Sequence, residues 1–395
     1  MNSSPFCGAV LVERAAFNRQ DDHLAKKASE YLASLHNQNG AVTRLSQQSF
    51  SISKTTTTEE IVVTRLIAHD YTEALAILEN DAQLGFSRKL ELIVQVLIFC
   101  RKWKPIDELC NRLNAFAESQ NRNYTLMDEK SHITTRLLLC VAYYLQGRFL
   151  DCLKCFLTVI EEYPVVMEQL KDENLDPFCT HSELVTIISI SLIVAIPLDN
   201  YEDVAQLEDL EVFYQVAGPL TRWLKLLIDT SYCKFLQEWS ALDPVYASSF
   251  FIAQKWPAAQ RTLRDKIYLF YLRISNVIEI PYLSKTLCIK QDIVHDEIVM
   301  LIEELELNFV VKGLLVQSQE RYDVQNLAKD LFHSGQLLQD KLDLLKVRNE
   351  NLRSEVQDFM KDNSIGEQRS KSPQINLFED EADNYISDGE NDRSS

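Results

Sequence analysis

Residues 280–318 read IPYLSKTLCIKQDIVHDEIVMLIEELELNFVVKGLLVQS, and this stretch decides the fold prediction. Leu283 and Leu287 lie one turn apart and predict a short helix. Asp292 is the expected N-cap of a second helix. The apolar face of that second helix consists of Val294, Ile298, Leu301, Ile302 and Leu305. The stretch therefore begins with two consecutive amphipathic helices.

Two β-rich segments, LNFVV and LLVQS, follow these helices and meet at Lys312–Gly313, which predicts a hairpin turn. A further helix is predicted over residues 257–278, PAAQRTLRDKIYLFYLRISNVI. Three helices followed by a hairpin give the order of a winged helix, which we place at residues 257–322. Because an unpaired strand edge invites pairing with another chain, we expect the hairpin to bind a partner. Its predicted partner-binding residues are Asn308, Phe309, Val310, Val311, Leu314, Leu315, Val316 and Gln317.

Upstream of the winged helix, residues 61–256 show one amphipathic helix after another. Four short connectors each place an aromatic residue just before a second helix: Tyr71, Trp103, Phe149 and Tyr201. Their spacing is too irregular for a strict tetratricopeptide array, but it favours stacked helical hairpins that bury their apolar faces on one another. The predicted fold is therefore mainly α: an irregular, tetratricopeptide-like helical-hairpin solenoid, a winged helix and a long C-terminal helix.

The two ends of the chain have a different composition. Residues 1–60 predict a single helix, around Asp22–Leu35, followed by a Ser- and Thr-rich flexible link. Residues 363–395 are predicted to be a disordered acidic tail. In that tail Glu390 stands three residues after Ser387, which makes Ser387 a possible phosphorylation site, although a plain solubilising tail is the favoured interpretation.

A seven-residue repeat runs through the predicted C-terminal helix, residues 323–362. Its d positions are Leu331, Leu338, Leu345, Leu352 and Phe359, and its a positions are Ala328, Gly335, Leu342, Asn349 and Val356. A polar residue at one a position, here Asn349, fixes the register and the number of partner helices. We therefore favour an intermolecular bundle over folding back onto the winged helix. The predicted partner-binding residues are Leu331, Leu338, Leu342, Leu345, Asn349, Leu352, Val356 and Phe359.

The charge balance argues against nucleic acid as a ligand. The net charge is −18 at pH 7, a sign that repels a phosphate backbone. The helix that would enter a DNA groove, residues 291–307, has no Lys or Arg. It carries six carboxylates: Asp292, Asp296, Glu297, Glu303, Glu304 and Glu306. Because base and phosphate contacts need donors and positive charge, a DNA-reading role is disfavoured.

No catalytic, metal-binding or cofactor-binding constellation can be assembled from the sequence. The nine glycines permit no Gly-rich phosphate loop. Cys152 and Cys155 form a C-x-x-C inside a helix, without a second pair or nearby histidines to complete four metal ligands. The nine cysteines are expected to be reduced core thiols of a cytosolic or nuclear protein. No signal peptide is recognised, and the 15-residue apolar run Leu184–Leu198 is too short for a membrane span, so it predicts a buried helix.

The order of these modules resembles that of PCI domain proteins, over about residues 60–360. The most specific stretches are residues 280–318 and residues 180–204, THSELVTIISISLIVAIPLDNYEDV. The second stretch is similar to the buried helix before the PCI domain in COP-nine signalosome subunit one and its proteasome-lid counterpart. Many family members have an Ile-Asp pair before the hairpin turn, where this chain has Val310-Val311-Lys312.

This resemblance implies a non-catalytic scaffold subunit of the COP-nine signalosome, the complex that removes a ubiquitin-like modifier from cullins. It implies other PCI-domain subunits and a metalloprotease-type subunit as partners, and a cytoplasmic and nuclear location. It implies no cofactor, nucleic acid or membrane. A proteasome-lid or initiation-factor-three subunit is the alternative within the same class, and a winged-helix nucleic-acid-binding protein is the alternative from another class.

Overall fold

A computed structural model of the chain describes residues 5–46, 57–119, 126–175, 177–319 and 324–363. At 36–46, 116–119, 126–128, 209, 324–330 and 355–363 only the backbone is described. The chain forms two compact units, Met1–Gln319 and Glu320–Ser395.

Most of the first unit is helical. Its helices before the winged-helix region are α1 (Gly8–Phe17), α2 (Asp22–Ser46), α3 (Thr58–Ile67), α4 (Tyr71–Asn80), α5 (Phe86–Cys100), α6 (Ile106–Ser119), α7 (Leu126–Gln146), α8 (Phe149–Glu162), α9 (Val166–Gln169), α10 (His181–Ala195), α11 (Tyr201–Ala205), α12 (Glu211–Val216), α13 (Leu220–Ile228), α14 (Tyr232–Ser240) and α15 (Asp243–Ala247). Short 3-10 turns occur at Leu198–Asn200, Glu208–Leu210 and Ile252–Gln254.

Successive helices are joined by tight corners that need a left-handed residue. The backbone φ angle is +58° at His69, between α3 and α4, +54° at Arg101, between α5 and α6, and +82° at Gly147, between α7 and α8. A residue in this conformation ends one helix and lets the chain reverse within a few residues. Helix α5 then packs on α7, α7 on α8 and α8 on α10, which confirms the prediction of an irregular helical-hairpin solenoid.

Helix α10 is the centre of this stack. It begins at a capping box, in which Thr180 and Glu183 satisfy each other's free backbone N–H groups. Its apolar residues are buried, as predicted for Leu184–Leu198, although the helix itself ends at Ala195. Among the described residues no single helix is long and apolar enough to cross a membrane; α10 and Leu198–Ala205 meet that criterion only as a pair bent by 114°.

The N-terminal region contains more helix than the sequence predicts. Helix α1 was not expected, and α2 extends to Ser46, beyond the predicted end at Leu35. The predicted link is also shortened from its other end, because a capping box between Thr57 and Glu60 starts α3. Helix α1 is held by long-range contacts, which local sequence patterns do not show. Its Arg14 is buried and forms an ion pair with Glu183 of α10 at 2.6 Å.

The winged-helix region consists of α16 (Trp256–Ile274), β1 (Val277–Glu279), α17 (Ile280–Leu287), α18 (Gln291–Glu304), β2 (Phe309–Lys312) and β3 (Leu315–Ser318). The three strands form one antiparallel sheet in the order β1-β3-β2. Three helices and a hairpin are therefore present as predicted.

Two details of the predicted winged helix are wrong. The helix expected over residues 257–278 ends at Ile274, since Ser275 is extended and Val277 pairs with Gln317 in the sheet. The N-cap of α18 is Lys290, whereas Asp292 lies within the first turn. An acidic residue is favourable there as well, because it faces the positive end of the helix dipole.

Three of the four tryptophans pack together where the helical repeats meet α16. The ring centroids of Trp223 and Trp239 are 5.1 Å apart, and those of Trp239 and Trp256 are 4.8 Å apart. All three side chains are buried. The indole N–H of Trp256 donates to Asp243 at 2.8 Å, which satisfies its polar atom. This cluster anchors the first helix of the winged-helix region in the core.

The second unit contains a single described element, α19 (Val324–Asn363), a helix of 40 residues. It lies where the seven-residue repeat predicts a helix. The side chains at 331–354 are exposed. Asn363, the first residue of the predicted acidic tail, belongs to α19, and the rest of that tail, including Ser387, lies outside the described residues.

Candidate functional site

The sheet of the winged helix has two outer edges, one on β1 and one on β2, and no further described strand pairs with either of them. Strand β3 is the middle strand, with Val316 opposite Ile278 on one side and Val311 on the other. Val316 is fully buried. Of the two hairpin strands predicted to bind a partner, only Phe309–Lys312 therefore keeps an edge that is free among the described residues.

The direction of the free hydrogen-bonding groups on β2 follows from its register. The N–H of Gln319 donates to the carbonyl of Asn308 at 2.8 Å. Because hydrogen-bonded pairs alternate along an antiparallel ladder, Val310 and Lys312 also direct their backbone groups towards β3. The N–H and carbonyl of Val311 consequently point to the open edge. This residue offers a partner strand one donor and one acceptor.

The hairpin turn presents exposed leucines beside this edge. Gly313 has a φ angle of +62°, and the two-residue loop Gly313–Leu314 joins the paired residues Lys312 and Leu315. A glycine at the first loop position fits a type II′ turn, so the predicted turn at Lys312–Gly313 is confirmed. Leu314 and Leu315 are 49% and 42% exposed. They form an apolar tip next to the open strand edge.

The acidic surface of α18 is smaller than the sequence indicates. Glu297, one of the six carboxylates expected to face outwards, is buried against α16. Its carboxylate accepts hydrogen bonds from Nε and Nη2 of Arg264 and from the hydroxyl of Tyr268. Glu306 lies beyond the end of the helix, so the exposed carboxylates on α18 are Asp292, Asp296, Glu303 and Glu304.

The leucine stripe of α19 is open along its described length. Leu331, Leu338, Leu342, Leu345 and Leu352 are between 49% and 67% exposed, and Asn349 is exposed as well. Val356 and Phe359 continue the same register of the helix, but their side chains lie outside the described residues. A row of half-exposed leucines at seven-residue spacing is the pattern of a helix that packs against other helices.

The cysteines form no site of evident chemistry. Cys152 is buried and Cys155 half-buried, and the described residues contain no group of three or more His, Cys, Asp or Glu side chains placed to hold a metal ion. Burial raises the pKa of the neighbouring Cys140 thiol well above its usual range. A thiol with a raised pKa is a poor nucleophile.

One cysteine prediction is wrong, because Cys233 and Cys288 form a disulfide. They are 55 positions apart in sequence, and they meet only because α14 packs against α17. Their Cα atoms are 5.3 Å apart, within the range that a disulfide spans. The bond ties the helical repeats to the second helix of the winged-helix region.

Comparison with known proteins identifies the family. A family model described as the CSN11 N-terminal domain matches residues 7–260, and one described as the CSN11 C-terminal domain matches residues 277–394. The chain belongs to the CSN11 family. The resemblance to a signalosome subunit drawn from the sequence is thereby confirmed at the level of the family. The likeness to subunit one and the assignment of a PCI domain stay predictions.

Curated relatives agree with this family. The protein named Cop9 signalosome complex subunit 11 of Saccharomyces cerevisiae is 29% identical over 76% of this chain and 72% of its own length. The subunit 11 of Kluyveromyces lactis is 30% identical over 76% of this chain and 78% of its own length. That of Eremothecium gossypii is 28% identical over 81% and 77%, respectively. Each match extends over most of both proteins.

Proposed function

We propose that this chain is a non-catalytic scaffold subunit of the COP-nine signalosome, the complex that deneddylates cullins of ubiquitin ligases. The observation that carries the proposal is the family match, which extends over both the helical repeats and the winged-helix region. The open edge of β2 and the leucine stripe of α19 support it, because both are surfaces suited to assembly with other chains.

The proposal includes a PCI domain. Helical hairpins followed by a winged helix and one long helix support that assignment. In this proposal α10 corresponds to the buried helix that precedes the PCI domain in signalosome subunit one. In this reading β2 pairs with a strand of a neighbouring PCI subunit. The stripe on α19 joins a bundle of helices from several subunits. Catalysis belongs to a separate metalloprotease-type subunit.

Two alternatives remain as competing hypotheses. A proteasome-lid or initiation-factor-three subunit would use the same kinds of surface, but the named relatives favour the signalosome. A nucleic-acid-binding winged helix would need a basic groove-facing helix. Helix α18 instead exposes four carboxylates and contains no Lys or Arg. The second alternative is therefore disfavoured on charge.

Affinity purification of the tagged full chain from its own cells, followed by mass spectrometry, tests the proposal. We expect other signalosome subunits, including the metalloprotease-type chain, to co-purify in near-equal amounts. Co-purification of lid or initiation-factor subunits in their place would overturn the assignment to the signalosome. The proposal also places the chain in cytoplasm and nucleus, and fluorescence microscopy of a tagged chain at its native level tests this location.

A further inference from the structure

Basic side chains border the leucine stripe of α19 on both sides. With Leu345 and Leu352 at d positions, the neighbouring e positions are Lys346 and Arg353, and the g positions are Lys341 and Arg348. All four side chains are exposed. The flanking positions one heptad earlier, Ser334 and Gln339, are uncharged. From 341 to 353 every position that borders the stripe is therefore a cation, and we call these four residues the basic flanks.

The acidic residues of the same segment lie elsewhere on the helix. Asp343 and Glu350 occupy b positions and Asp340 an f position, all on the face away from the stripe. The chain as a whole has a net charge of −18. A random placement of charges in so acidic a protein would put carboxylates beside the stripe as readily as cations. A partner helix that packs on the stripe would therefore contact cations on both sides of it.

Charges at e and g positions set partner choice and orientation in helical bundles. In a parallel pair each g residue faces an e residue of the other helix, and in an antiparallel pair e faces e and g faces g. Two copies of α19 aligned over residues 341–353 would therefore place Lys or Arg against Lys or Arg in either orientation. Like charges across a seam disfavour that pairing. The basic flanks thus select against a second copy of this chain.

We propose that α19 binds a partner helix that has an apolar a/d seam flanked by Asp or Glu at its e and g positions. The inference rests on the proposed function as a subunit of a complex, and it specifies the chemistry of the helix bound by residues 341–353. A partner carboxylate would compete with one existing contact, because Nζ of Lys346 lies 3.5 Å from Asp343. That pair is exposed and weak, so it leaves Lys346 available.

A peptide experiment on the purified full chain tests the proposal. Two labelled synthetic helices share one leucine seam; one carries Glu and the other Lys at every e and g position. We expect the Glu-flanked peptide to bind at least tenfold more tightly at 50 mM salt by fluorescence anisotropy. The preference should shrink at 300 mM salt, because screening weakens exposed charge pairs. Equal affinities, a preference for the Lys-flanked peptide, or no binding of either would overturn the proposal.

Variants of the chain locate the effect. Lys346→Glu with Arg348→Glu should abolish or reverse the preference. The matched control changes His333, Gln336, Val347 and Ser354 to Glu, which alters net charge equally but only at positions away from the seam; it should keep the preference. A control that behaves like the flank variant would overturn the proposal. Peptide binding and co-purification are separate measurements. A negative peptide result therefore overturns only the charge preference of α19, and affinity purification tests whether the chain belongs to the complex.

Discussion

Nη2 of Arg264 lies 2.7 Å from Oε1 of Glu297, in an ion pair that joins α16 to α18. The hydroxyl of Tyr268 donates to the same carboxylate at 2.8 Å, and Arg261 donates to the backbone carbonyl of Glu297 at 2.8 Å. Glu297 thus accepts hydrogen bonds from three positions of α16, two through its buried carboxylate and one through its backbone carbonyl. It fixes the helix that leads directly into strand β2 and its open edge.

Glu297→Gln should therefore lower the free energy of unfolding by about 2–4 kcal/mol, because it leaves the guanidinium of Arg264 without its counter-charge. Urea unfolding of the purified chain measures this loss. Asp199→Asn is the matched control, since Asp199 forms an exposed pair with Arg273 at 2.9 Å. It should leave the midpoint almost unchanged. A similar loss in both variants would show that the burial of Glu297 is not the cause.

Val311→Pro should weaken assembly while the chain stays folded. Proline removes the one N–H that Val311 directs to the open edge, and edge strands accept proline when that group faces solvent. We expect reduced recovery of the neighbouring subunit in pull-downs. Val311→Thr keeps the N–H and should assemble normally. Val316→Pro should fail to fold, because Val316 is buried and lies in the middle strand. Full recovery with Val311→Pro would place docking elsewhere.

Changing Leu345 and Leu352 together to Asp should drop the subunit from its complex. Burial of each leucine contributes roughly 1.5–3 kcal/mol, so the pair accounts for several kcal/mol of association. Thermal melting should change little, because these side chains are 55% and 49% exposed. Val347→Asp with Ser354→Asp, off the stripe, is the control and should keep its partners. A sharp fall in melting temperature with partners retained would identify the stripe as internal core.

Stability should fall as the pH drops from 6.5 towards 4, because of His132. Its side chain is buried, and its Nε2 accepts a hydrogen bond from Arg136 at 3.0 Å. Burial, and then the charge of Arg136, lower the pKa of His132 to about 4. Between that pKa and the pKa of about 6.5 in the unfolded chain, only the unfolded chain binds the extra proton. This proton uptake lowers the free energy of unfolding by an amount on the order of 3 kcal/mol. The urea unfolding midpoints at pH 4.5 and pH 7 should lie closer together in His132→Gln than in the unchanged chain.

Reduction of the bond between Cys233 and Cys288 should destabilise the chain by about 2–4 kcal/mol, because it releases a cross-linked loop of 55 residues. Thermal melting with and without reductant measures the effect, and Cys233→Ser should melt like the reduced chain under both conditions. The control is Cys7→Ser, since Cys7 is exposed and is not part of the bond between Cys233 and Cys288. An equal melting temperature with and without reductant would argue against the disulfide.

Local sequence patterns predict the elements that depend on local forces. The buried run Leu184–Leu198 lies largely in α10, and the hairpin turns at Gly313, where the φ angle favours glycine. The seven-residue repeat locates α19. In each of these cases the periodicity or the turn residue is itself the cause of the structure, so the pattern suffices.

The features that sequence patterns miss depend on contacts between distant residues. Helix α1 is fixed through Arg14 and Glu183, which are 169 positions apart. Strand β1 contains only Val277–Glu279, and its partner β3 lies beyond two helices. The inward orientation of Glu297 likewise depends on Arg264, which belongs to another helix. No local rule indicates which of many carboxylates will find a buried partner.

The packing of Trp223, Trp239 and Trp256 gives this protein an internal optical reporter. Three of its four tryptophans emit from one buried cluster where the repeats meet α16, while Trp103 lies apart between α5 and α6. Intrinsic fluorescence therefore reports mainly on the junction between the repeats and α16. A shift of the emission maximum to longer wavelength during assembly would show that binding loosens the core there. An unchanged spectrum would show that partners dock on a rigid body.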